Sequence, residues 1–161
     1  MNIFLPYPND ITLSVQSLDN KRLNKQIVEI ATLLEIAIDE KQNGSRTGAG
    51  YHNHPIYKHY KDNLEFFAWY GVECCCEYTY RKPFHFRCEM DLFNKYYRGK
   101  VSFIPFYASG SKGSKDCIRT TENVGELYRQ RLVQKWQNDK NENKYLSWGN
   151  REKPKFWSIY V

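Results

Sequence analysis

The feature that most limits what this chain can become is an apolar stripe. Leu23, Ile27, Ile30, Leu34 and Ala37 recur every three or four residues. Only a helix puts such positions on one face, and a face that apolar has to be buried against other elements. The spacing predicts a helix from about Ser17 to Lys41, ended by Asn43-Gly44-Ser45, where glycine allows the left-handed turn that stops a helix. A second stripe, Tyr60, Leu64, Phe67, Gly71, Cys75 and Tyr78, predicts a helix from Pro55 to about Arg81 with Cys75 in the core. Proline suits the first position of a helix. A shorter helix is expected from Arg87 to Tyr97. Asn123 through Glu126 has the form of a capping box opening a last helix, Val124 to about Gln137. No segment is strongly marked as a strand. The expected fold class is all-α: a single compact helical domain over residues 1–161, with an extended N-terminal segment stiffened by Pro6 and Pro8 and an aromatic C-terminal tail.

A chain of 161 residues suits one core rather than two. Charged residues are 26% and of both signs, which argues against disorder. The net charge is +6, so the natural partner is a polyanion, nucleic acid first among them. No apolar run is long enough to cross a bilayer. The opening Met1-Asn2-Ile3-Phe4-Leu5 lacks the basic start of a secretory signal, so a cytoplasmic location is expected, without a membrane partner. Five cysteines, three of them adjacent (Cys74, Cys75, Cys76), make a poor disulfide framework and suit a reducing compartment. His52, His54 and His59 lack a carboxylate or thiolate at metal-ligand spacing, so neither a metal site nor a cofactor is expected.

Several segments could carry chemistry. Arg22, Gln26 and Glu29 form a polar stripe beside the core face of the first helix, with Lys25 next to it. A carboxylate among cations at a core edge is placed for acid–base work, and the same pattern also describes an ordinary ion-paired helix face. Tyr51-His52-Asn53-His54-Pro55 puts polar rings before a helix start, which suits an anion; Asn53 or His54 acting as a plain helix cap is the alternative. Residues 78–87, Tyr-Thr-Tyr-Arg-Lys-Pro-Phe-His-Phe-Arg, interleave rings and cations. They fit either a nucleic-acid surface, with Tyr80, Arg81 and Lys82 as contacts, or a helix end whose rings are core. The long loop expected over residues 99–122 includes Ser109 to Lys115, which could touch a phosphate backbone but lacks the glycine spacing of a Walker loop.

Taken together, Phe4-Leu5-Pro6-Tyr7-Pro8, LDNKRLNKQIVEIATLL (Leu18–Leu34), YHNHP (Tyr51–Pro55), YKDNLEFF (Tyr60–Phe67) and CEYTYR (Cys76–Arg81) resemble the pyrimidine-dimer DNA glycosylase (endonuclease V) family of phages and bacteria. ELYRQRLVQKW (Glu126–Trp136) and the aromatic PKFWSIYV (Pro154–Val161) are similar to the last helix and the tail of its phage members. The resemblance implies an all-α domain, double-stranded DNA as partner, and excision of a damaged or modified pyrimidine. It implies a covalent imine between the N-terminal α-amine and the sugar C1′, with AP-lyase activity, and an essential helix glutamate, which Glu29 matches. The amine here would be that of Met1, because Asn2 is a bulky neighbour that hinders removal of the initiator. Val28 and Thr32 stand where the family places arginines beside its glutamate, and Arg22 and Lys25 are the nearby substitutes. Asn2, Arg22, Lys25 and Gln26 would then bind sugar and phosphate, and Asn53 and His54 would line the pocket.

Two other functions fit the same residues. One is a non-catalytic DNA-binding module of this fold, for which Glu29→Gln would change nothing measurable. The other is an enzyme acting on a hypermodified phage base or a free nucleotide, for which duplex affinity would be weak and its salt dependence shallow. The chain is expected to be a monomer.

Overall fold

The apolar stripe becomes the longest helix, and everything else packs around it. The structure is a computed structural model that describes residues 2–44, 49–110, 117–142 and 144–160. Its elements in order are helices α1 (Ile11–Gln16), α2 (Asn20–Asn43), α3 (Ala49–His52), α4 (Pro55–Tyr60), α5 (Leu64–Arg81) and α6 (Glu89–Tyr96), strands β1 (Tyr107–Ser109) and β2 (Ile118–Thr120), helix α7 (Val124–Asn141) and a 3-10 turn at Lys155–Ser158. The core face of α2 is the stripe itself: Leu23, Ile27, Ile30, Leu34 and Ala37 are all buried. Gly44 ends the helix with φ of 61°, the left-handed conformation that a residue without Cβ adopts freely.

Helix α2 lies against α5, and α5 is covered in turn by α6 and α1. Gly71 lets α6 approach, because a Cβ at that position would sit 2.5 Å from the Phe93 ring. Cys75 is buried, and so is Cys74. Gly125, at the start of α7, does the same for the N-terminal segment: a Cβ there would meet the Pro8 ring at 2.7 Å and the Pro6 carbonyl at 3.0 Å. Ile3, Phe4 and Leu5 are buried, so the N-terminal segment is a core element.

The fold is mostly helical, as expected, with several differences of detail. Residues before α2 form a separate helix, α1, capped by the Asp10 side chain on the Leu13 N–H. Asp19 then caps α2, so the helix begins at Asn20 rather than Ser17. The single helix expected over 55–81 is two, with Pro55 at the start of the first. Lys61 and Asp62 turn the chain, and the Asn63 side chain caps Phe66 to start α5. Local capping chemistry overrides an apolar period that runs through the break. The short helix α3 precedes Pro55. The long loop contains a two-stranded antiparallel hairpin pairing Tyr107 with Thr120 and Ser109 with Ile118, so the chain is not purely α. Ser111–Asp116 lie outside the described residues, and with them most of the proposed phosphate-touching loop. Asn123 makes no capping bond; it sits at φ of 51°, and Glu126 binds Arg129 and Gln130 instead. No described helix is long and apolar enough to cross a membrane.

The aromatic tail folds back on α7. Trp136 is stacked on Phe156 at 5.7 Å and meets Trp148 edge-on at 5.1 Å. The Trp148 indole donates to the Ser17 carbonyl at 3.0 Å, and Asn20 N–H donates to the Ser147 carbonyl at 2.7 Å. These bonds tie the tail to the start of α2.

Candidate active site

The site is assembled where the N-terminal segment crosses α2. Arg22, Gln26 and Glu29 occupy successive turns of α2, and Lys21 and Lys25 flank them. Gln26 is buried and uses both ends of its amide. Nε2 donates to the Asn2 carbonyl at 2.7 Å and to Glu29 Oε2 at 3.3 Å. Oε1 accepts from the Phe4 N–H at 3.2 Å. The Tyr70 hydroxyl lies 3.1 Å from the same Oε1 and 2.9 Å from the Phe4 carbonyl, so its one proton serves one acceptor at a time. Gln26 therefore acts as a strand partner for residues 2–4 and fixes their distance from Glu29.

Asn2, Phe4, Lys21, Arg22, Lys25, Glu29 and Lys135 line a pocket of about 210 Å³. The Glu29 side chain is 15% exposed, and Lys25 Nζ lies 3.6 Å from its Oε1. Lys135 comes from α7. Burial, followed by repulsion from Arg131, Arg22 and Lys25, holds its ammonium below the usual lysine range. Lys21 and Arg22 are paired with carboxylates behind the pocket, so Lys25 and Lys135 carry the charge that favours an anionic ligand beside Glu29.

Arg22 contributes charge from a fixed position. Its guanidinium bonds both Asp19 oxygens at 3.3 Å and pairs with Asp139 of α7. Asp19 also accepts from the Trp136 indole at 2.7 Å. Burial opposes the charge on Asp139, but Arg22 and Lys21 outweigh it and hold the carboxyl below its ordinary value. This buried network fastens α7 to α2, and Lys135 faces the pocket as a result.

Met1 lies outside the described residues, and the remaining residues singled out in the sequence do not line this pocket. His54 Nδ1 accepts from the Ile56 N–H at 3.2 Å and so caps α4. Burial is the main cause that lowers its imidazole below the usual range. Neither His54 nor the exposed Asn53 lines the pocket. Arg81 points inward, with its side chain 1% exposed. It donates to Glu77 at 2.7 Å, to the Leu18 carbonyl at 2.7 Å and to the Gln16 carbonyl at 2.9 Å. Tyr80 is half-exposed beneath the Arg151 guanidinium, 3.9 Å from its ring centre. Lys82 is exposed over the Tyr78 ring. Lys21 and Lys135 were not marked by the sequence. Lys21 reads as one more surface lysine, and nothing in the α7 sequence says which helix it packs on.

Residues 1–92 match the family model for pyrimidine dimer DNA glycosylase. The chain belongs to that family. The match takes in the N-terminal segment, Gln26, Glu29 and α5; it ends before α7, so the Lys135 wall of the pocket lies beyond it. No curated protein and no solved structure matches the chain. Within the matched segment, the α2 pocket is where Gln26 joins the Asn2 carbonyl to Glu29.

Proposed function

We propose that the chain is a DNA N-glycosylase that removes a damaged or modified pyrimidine from duplex DNA, with its N-terminal amine as nucleophile and Glu29 as the catalytic carboxylate. The observation that carries this reading is the Gln26 clamp, one amide bonded to both the Asn2 carbonyl and Glu29. Covalent geometry keeps the residue before Asn2 within about 3.8 Å, Cα to Cα. An α-amine has an ordinary pKa of about 7.7–8.0, against about 10.4 for lysine, so more of it is uncharged at neutral pH.

In the proposed step the amine lone pair bonds to C1′ while the C1′–N bond breaks. The base leaves with that bonding pair and takes up a proton. The nitrogen then gives up a proton, its lone pair forms the C1′=N bond, and the C1′–O4′ bond breaks with its pair on O4′, which takes up that proton as a hydroxyl and leaves the protonated imine. Glu29 stabilises the developing positive charge at C1′ and accepts the nitrogen's proton. Lys25 and Lys135 hold the flanking phosphates. Strand cleavage follows if a base removes a C2′ proton from the imine and the 3′ phosphate departs.

Borohydride trapping tests this reading, using duplexes that carry an abasic site, a cyclobutane pyrimidine dimer or a modified pyrimidine. The expected result is a covalent complex that disappears when the N-terminus is blocked, persists in Lys135→Ala, and is lost with base release in Glu29→Gln. A complex that survives blocking and vanishes in Lys135→Ala would move the nucleophile to α7. No complex on any duplex would sink amine chemistry, and an assay for released base would then separate a water-using glycosylase from a binding module.

A further inference from the structure

The α5–α6 connection carries two phenylalanines in an unusual setting. Phe84 is 92% exposed and Phe86 is 83% exposed. Lys82 to His85 form a turn closed by the His85 N–H donating to the Lys82 carbonyl at 3.1 Å. Pro83 takes the second position, and Phe84 takes the third at φ of 72°. That is the pattern of a type II turn, whose third position normally calls for glycine. A bulky side chain there is strained, and such strain collects where a side chain has work to do.

The loop is held firmly at its root. Arg87 bonds Glu89 at 2.7 Å and the Asn24 side chain at 2.7 Å, and its guanidinium lies over the Tyr78 ring. Asn24 belongs to α2, one residue before Lys25, which lines the pocket. The loop and the pocket therefore border the same exposed strip of α2, with Lys21, Asn24 and Lys25 between them. The strip has the charge to seat a phosphate backbone, and the phenylalanines stand beside it with nothing apolar of their own to cover them.

We propose that Phe84, supported by Phe86, is a wedge that enters the base stack of duplex DNA next to the nucleotide held in the α2 pocket. This rests on the DNA-glycosylase reading above. A base must leave the stack to reach the pocket, and an apolar ring filling the opened step stabilises the distortion. A rigid root and an exposed tip are what such a wedge requires. Both rings are solvent-exposed, so their removal leaves the core intact.

The test is equilibrium binding to duplexes containing a cyclobutane dimer, an abasic site or no lesion, across a salt series. Stacking of one base on a ring is worth about 5- to 100-fold in affinity. Phe84→Ala with Phe86→Ala should weaken lesion binding by about that factor and leave the slope of affinity against salt unchanged, because phosphate contacts remain. Phe84→Trp should restore binding when paired with wild-type Phe86. Lys25→Ala should instead flatten the slope by about one phosphate contact. Wild-type affinity in the double alanine variant, with the normal steep salt dependence, would overturn the wedge and leave the DNA reading standing. A flat salt dependence in the wild-type chain would overturn the DNA reading, and the wedge with it.

Discussion

Two regions border the exposed strip of α2, and they are built in opposite ways. On one side the pocket is held by buried bonds: Asp19, Arg22, Asp139 and Trp136 form a closed polar network, and Gln26 has both ends of its amide occupied. On the other side the tip of the 82–87 loop is exposed and strained, with Phe84 in a conformation that suits glycine. The pocket has to position a carboxylate and an amine to within fractions of an ångström, which only over-determined packing achieves. The loop has only to present apolar surface, and exposed residues do that at little cost to the core. Substitutions in the first region should therefore cost stability and activity together, and those in the second should cost binding alone.

The comparison breaks most visibly at Arg22. Arg22→Met leaves Asp19 buried without its cation and Asp139 with Lys21 alone, and should destabilise the fold by about 3–5 kcal/mol. Urea unfolding would show it, and a loss below about 1 kcal/mol would mean that water screens the network. Gln26→Ala is the next largest. It leaves the Phe4 N–H and the Asn2 carbonyl without their partner and should cost about 1–3 kcal/mol. Activity should fall by more than the stability loss explains, on the order of 100-fold, because Asn2 is no longer held against Glu29. A fall in activity that merely tracks the folded fraction would reduce Gln26 to a structural role.

A smaller effect is expected from pH. The Asp139 carboxyl is held below its ordinary value in the folded chain. Its contribution is present above the unfolded-state pKa of about 3.9 and is lost as pH falls through the lowered folded value. The stability gap between wild type and Asp139→Asn should be wide at pH 6 and should narrow below pH 4. An equal gap at both would assign the effect to packing instead of charge. The smallest stability change belongs to the loop. Phe84→Gly relieves the positive φ but loosens the unfolded chain, so folding free energy should stay the same or rise by up to about 1 kcal/mol. A loss of more than about 1 kcal/mol would show that the Phe84 ring supports the fold, contrary to its exposure.

What could be read from the sequence was whatever repeats along one element. The stripe on α2, its glycine stop at Gly44, Pro55 at a helix start and the burial of Cys75 follow from period and local backbone preference. The Arg22–Gln26–Glu29 stripe followed from the same logic, and the family resemblance attached a role to Glu29. Features that depend on a competing local bond were missed. The Asp19 cap started α2 late, the Asn63 cap divided α4 from α5, and Asn123 looked like a capping residue but sits in a left-handed conformation. In residues 78–87 the pattern of rings and cations was visible, but its facing was not. Arg81 turned into the core, where the carbonyls of Leu18 and Gln16 await it, and Phe84 and Phe86 turned out to solvent.

By itself, then, the sequence determined the helices with strong periodicity, the basic character of the molecule and the helix face that bears Glu29. Each of these depends on residues a few positions apart, whose relation is set by the helical repeat. The tertiary structure alone decided that the Asn2 carbonyl meets Gln26 across 24 positions, that Asp139 reaches Arg22 and brings Lys135 to the pocket, and that Arg87 roots the phenylalanine loop beside Lys25. Those pairings join segments far apart in the chain, and what selects them is complementary burial of charge and shape, which has no period to read.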